Sequence, residues 1–182
     1  MLFAMQLLLP TEDATWLPQA WQVIRDAPKD THPEELAHTF RRVCEMLEGS
    51  LDNVHYGLWE YIAEAEEAES DYHEWCEGTV LDVDEEAEDA DDEETAYAFV
   101  TMLLLLEDGG AAQSRIWAES ERIPDGEEAT LQAYRRFLQL IPQLDFATVH
   151  SCALFVRPGD GGFGVMESML REEHYHHLVP VL

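Results

Sequence analysis

The sequence predicts an α+β fold: a small sheet of about three strands covered by four or five helices, with one acidic loop inserted. Three observations carry this reading. Apolar runs of strand length recur at Leu2–Leu9, Tyr97–Leu106 and Phe146–Pro158. Segments with apolar residues at helical spacing lie before, between and after those runs. The stretch LDVDEEAEDADDEE, from Leu81 to Glu94, holds ten carboxylates in fourteen residues and has neither period. At 182 residues the chain has the length of one domain, and 46% hydrophobic residues supply a core. The expectation is a single domain over 1–182 with a mobile acidic loop over 79–95.

Each element has its own signal. Leu2–Leu9 is continuously apolar and is stopped by Pro10, as a buried strand would be. Thr11, Glu12 and Asp13 then offer caps for a short helix through Trp16, Ala20, Val23 and Ile24, with Pro18 tolerated in its first turn. In DTHPEELAHTFRRVCEMLEG, Leu36, Phe40, Val43 and Leu47 form one helical stripe. Thr31 or His32 caps it, Pro33 sits near its start, and Gly49 stops it. A further helix is read from Leu51 to Cys76, with Val54, Leu58, Ile62, Ala65, Tyr72 and Cys76 inward. The acidic run follows as the loop.

Tyr97–Leu106 reads as a central strand covered on both faces, ended by Asp108-Gly109-Gly110. EEATLQAYRRFLQLIPQ is a helix with Leu131, Tyr134, Leu138 and Ile141 inward. Its place between two strands leaves room for a parallel strand pair. FATVHSCALFVRP is the third strand. It sets Val149, Ser151, Ala153 and Phe155 on one face and His150, Cys152, Leu154 and Val156 on the other. GDGGFG is a glycine loop, VMESMLREEHYHH a short helix, and LVPVL an extended tail.

This order of parts, with DTHPEEL opening a helix, YAFVTMLLLL as second strand, CALFVRPGDG after the third and LVPVL at the end, resembles an uncharacterised family. It is the bacterial and chloroplast family called domain of unknown function 1517. Asp30, Thr31, Pro33, Glu34 and Leu36 stand where that family opens its helix with Asp-Thr-x-x-Pro-Glu-x-Leu, here with one residue fewer. Phe155, Val156, Arg157 and Pro158 stand at its Leu-Trp-Thr-Pro, and Gly159 and Asp160 follow. Leu178, Pro180 and Leu182 match its Leu-x-Pro-Leu tail. The family's Trp and Thr are replaced by Val156 and Arg157, its Thr-Leu after Gly-Asp is missing, and no membrane segment or glycine-rich region is seen. The resemblance implies a fold and no agreed chemistry.

The charge narrows the function classes. Ten Lys and Arg stand against 39 Asp and Glu, a formal −29. From Val43 to Ser114 there are 23 acids and no Lys or Arg. Such a field repels phosphate backbones and anionic headgroups, so neither nucleic acid nor a membrane surface is an expected partner. A basic protein is the favoured one. Salt adaptation or genome composition would also produce this acidity. Cys44, Cys76 and Cys152 have no metal or redox spacing and read as reduced cytoplasmic thiols. The apolar start lacks a basic leader and is too short to span a bilayer, so the expected location is cytoplasmic.

No catalytic or cofactor constellation is complete. In the acidic run Asp82, Asp84, Glu86, Glu88 and Glu93 fall at calcium-loop positions, but Ala87 stands where the sharp turn needs glycine. His174 and His177 are spaced i, i+3, a weak metal pair without further ligands. GDGGFG is neither a dinucleotide fingerprint nor a P-loop. Ser151 lacks a nucleophile elbow, and nothing orients His150 beside Cys152. No cofactor is expected.

Arg157, Asp160 and His150 are the candidates if the 157–164 loop binds a small ligand. Glu64, Glu67, Asp71 and Glu74 are the candidates for an acidic interaction face. The leading expectation is a non-enzymatic interaction or regulatory protein using that face. An acidic inhibitor or immunity protein against a basic nuclease-like toxin, and an enzyme or ligand binder using the loop, are the alternatives.

Overall fold

A computed structural model describes residues 1–25, 32–81, 96–158, 164–172 and 175–182. The centre of the fold is a pair of buried strands, β1 (Leu2–Pro10) and β3 (Ala96–Leu106). Their apolar runs, interrupted only by Gln6 and Thr101, follow from position, because residues alternate between two faces and both faces are covered.

β2 (Tyr56–Ile62) flanks β1 and β4 (Val149–Arg157) flanks β3. The order is β4-β3-β1-β2-β6, where β6 is the two-residue strand Val179–Pro180. β5 (Val165–Met166) pairs with β3 on the β4 side: Arg157 opposes Phe99, and Val165 opposes Tyr97. The pairings of Arg157 and Val165 are thus separated by the single β3 position Ala98. Gly164, just before β5, has φ +84°, and an added Cβ there would lie 2.5 Å from the Tyr97 carbonyl oxygen.

Every pairing is antiparallel. The expected three-strand sheet is thus corrected to six strands among the described residues, and the parallel pair to none. The largest correction concerns 51–76. Its first part is a 3-10 turn (Leu51–Asn53) and then β2, and the helix begins only at Ala65. Val54, Leu58 and Ile62 do repeat every four residues, but the intervening Tyr56, Trp59 and Tyr61 are strand-favouring and pack on the opposite or neighbouring positions. A strand covered on both faces has no clean alternation to betray it.

Helices cover both faces. One face carries α1 (Leu17–Arg25), α2 (Pro33–Gly49), α4 (Ala111–Ser120) and α5 (Leu131–Leu140). Phe3, Met5, Leu7 and Leu9 of β1 and Val100, Met102 and Leu104 of β3 pack against them. Phe137 of α5 stacks between Phe3 (4.8 Å) and Trp59 (4.7 Å). Gly57 leaves room for Tyr134, whose hydroxyl would sit 2.8 Å from an added Cβ. α5 is capped by Thr130, which accepts from the Ala133 amide.

The other face carries α3 (Ala65–Leu81) at one end and the C-terminal segment at the other. Under α3 lie Leu2, Ala4, Leu103 and Leu105. Under the segment lie Leu8, Tyr97 and Phe99, covered by Val165 and Tyr175. The expected helix over 165–177 is instead β5 and a 3-10 turn, Met169–Arg171. The expected loop over 79–95 is corrected at its start, since α3 runs to Leu81. Residues 82–95, the calcium-loop positions among them, lie outside the described residues. A bulge at Leu105/Leu106 moves Val149 to the α1–α2 face and leaves His150 exposed beside it.

Candidate acidic interaction face

The acidic face begins with α3, whose Ala68, Tyr72, Trp75 and Cys76 form the stripe packed on the sheet. Glu66, Glu67, Glu69, Asp71, Glu74 and Glu77 occupy six of its other positions, with no Lys or Arg on the helix. Acids in its first turn meet the positive end of the helix dipole. Glu64, Glu67, Asp71 and Glu74 are spaced three, four and three, which places all four along one flank. Glu64, Glu67 and Glu74 are exposed and Asp71 is half-buried.

Beside that flank stands Glu60 of β2, opposite Ala4 in the ladder. The Trp75 indole Nε1 donates to its Oε1 at 3.1 Å. Burial raises the Glu60 carboxyl above its ordinary range; the Trp75 bond works against this, and Asp71 and Glu67 push it further up. Among the described residues no guanidinium or ammonium enters that balance. Five carboxylates thus share one strip of surface with no Lys or Arg among the described residues to balance Glu60.

A polar row holds the strip in place. Gln6 and Thr101 are buried at the centre of this face, and Gln6 Nε2 donates to Thr101 Oγ1 at 2.8 Å. His177 Nε2 lies 3.0 Å from Gln6 Oε1. That oxygen can only accept, so His177 Nε2 carries the proton. The His177 ring meets Trp75 edge-on at 5.4 Å. Thr101, Gln6, His177, Trp75 and Glu60 therefore link the two apolar clusters of this face and fix the indole that orients Glu60.

Across the sheet three arginines are ion-paired. Arg122 and Arg136 reach Glu119 at 3.0 and 3.1 Å, and Arg135 reaches Asp52 at 3.2 Å. Arg41 and Arg115 donate to the Pro142 and Gln143 carbonyls.

The ligand-loop candidates do not assemble in the same way. His150 and Arg157 stand at opposite ends of β4, seven residues or roughly 23 Å apart at strand rise. Asp160 and His174 lie outside the described residues. His177 is engaged by Gln6 and Trp75, and among the described residues no three His, Cys, Asp or Glu side chains could share a metal ion. Burial pushes the Cys152 thiol up to about 11 and raises Cys44 and Cys76 as well. None of them is a ready thiolate at neutral pH.

Glu60 is the residue that sequence reasoning missed, because it lay inside a segment read as helix. The aromatic density of YGLWEYI was the signal for a strand. Among the described residues no helix is long and apolar enough to cross a membrane. Compared with protein-family models, curated proteins and solved structures, the chain matches none.

Proposed function

We propose that this chain is a non-enzymatic interaction module that captures a basic segment of a partner protein along the α3–β2 flank. The observation that carries the reading is Glu60. Its carboxyl is raised by burial, lowered in part by the Trp75 bond and raised further by Asp71 and Glu67, and among the described residues no guanidinium or ammonium offsets them. A Lys or Arg brought by a partner would supply that missing charge, and the field of a −29 chain would steer it there. The indole of Trp75 holds Glu60 in place, so part of the flank is pre-organised.

Binding of a polylysine peptide of about 20 residues, followed by calorimetry at about 50 and about 500 mM NaCl, tests this. The triple variant Glu67→Lys, Asp71→Lys, Glu74→Lys should weaken capture at least tenfold at the lower salt. A control triple with the same change in net charge, Glu12→Lys, Asp13→Lys, Glu121→Lys, should weaken it much less. Equal losses would mean that net charge alone attracts the peptide, and the flank would have no special role.

A further inference from the structure

We propose that β4 is a self-pairing edge, at which two copies of this chain join into one continuous sheet. β4 ends the strand order, and its inner side is laddered to β3. Among the described residues no backbone hydrogen bond falls on its outer side. Sheets normally guard such an edge with charged side chains, prolines or bulges. From Ser151 to Val156 β4 has none of these; its bulge lies at the Val149 end and its proline beyond Arg157. In a chain with 39 acids among 182 residues, none occurs from Phe146 to Pro158. Burial explains the same lack in β1 and β3. It does not explain it in β4, where Ser151 through Phe155 are only half-buried.

Charge identifies the occupant as a second copy. Arg157 stands at one end of β4. At the other end Val149 opposes Leu106, which Glu107 and Asp108 follow, and Asp145 caps the turn just before the strand. Antiparallel pairing about Ala153 sets Val149 opposite Arg157 of the second copy, so each basic end meets an acidic end. It also sets Ser151 opposite Phe155 and Cys152 opposite Leu154, small against large. α1 lies near the Arg157 end, where Trp21 donates to the Pro158 carbonyl at 2.7 Å. A two-fold axis at Ala153 carries the two α1 helices to opposite ends, clear of each other.

The −29 charge on each copy opposes association, so pairing strengthens as salt screens it. Capture of a basic peptide at α3 weakens with salt, so the two proposals fail separately.

Sedimentation velocity of the full chain under reducing conditions, from about 10 to about 500 μM and at about 50 and about 500 mM NaCl, is the test. The dimer fraction should rise with both variables. Ser151→Lys should weaken it at least tenfold while the thermal melt is kept. Hydrogen exchange on the unaltered chain gives a second reading: amides of 151–156 should slow as concentration rises, and those of 58–62 should not. A chain that stays monomeric at the highest concentration and salt overturns the proposal. So does a dimer that leaves the 151–156 amides unprotected. If a strand of another protein fills this edge instead, the first of these results will be seen.

Discussion

At the scale of single residues, Glu60 couples stability to recognition. Its folded-state carboxyl is raised, so folding favours the protonated form. The stability it contributes is full below its unfolded pKa and is lost as pH rises through the raised folded value. At neutral pH the ionised group is therefore a net cost. Glu60→Gln keeps an acceptor for Trp75 Nε1 and should stabilise the chain at pH 7, by less than about 1 kcal/mol since half the group meets water. The gain should vanish near pH 4 in thermal melts across pH. The same variant should bind the polylysine peptide more weakly.

Two glycines make a second expectation. Gly57→Ala drives a methyl into Tyr134 and should cost about 1–3 kcal/mol in denaturant titration. Gly164→Ala adds a left-handed backbone to a backbone clash with Tyr97, and should cost at least as much.

At the scale of elements, the start of α2 and the buried strands were legible for physical reasons. Pro33 with Glu34 and Glu35 marks the first turn of α2, where a missing amide and negative charge are both favourable. β1 and β3 announce themselves as apolar runs broken only by Gln6 and Thr101. β2 was not legible, since both of its faces are half-covered and its apolar residues fit a four-residue spacing as well. α4 was not anticipated either: only Ala112 and Ile116 of it are buried, and Trp117 stays 53% exposed. Two inward residues on ten make too thin a stripe to read. Glu67, Asp71 and Glu74 share one flank of α3 despite the misplaced helix start, because spacings of three and four keep one flank wherever the helix begins.

At the scale of the whole molecule, the arginines of the α4–α5 layer and the bare acidic helix lie on opposite faces of the sheet. Arg115, Arg122, Arg135 and Arg136 sit in the α4–α5 layer with hydrogen-bonded or ion-paired partners. α3 on the opposite face carries six acids and no Lys or Arg. Self-repulsion within that face should be relieved by screening, so the melting temperature should rise by several degrees between about 50 and about 500 mM NaCl. A melt that is flat or falling with salt would show that paired charges dominate.

The sequence by itself determined the net charge, the α+β class, the buried strand pair and the acidic spacing on α3. All of these depend on neighbours along the chain or on composition. Tertiary structure alone decided that Glu60 joins that flank, that His150 and Arg157 part company, and that β4 is left as an edge. Those facts depend on strand register and order, in which residues tens of positions apart become neighbours, and no local period encodes them.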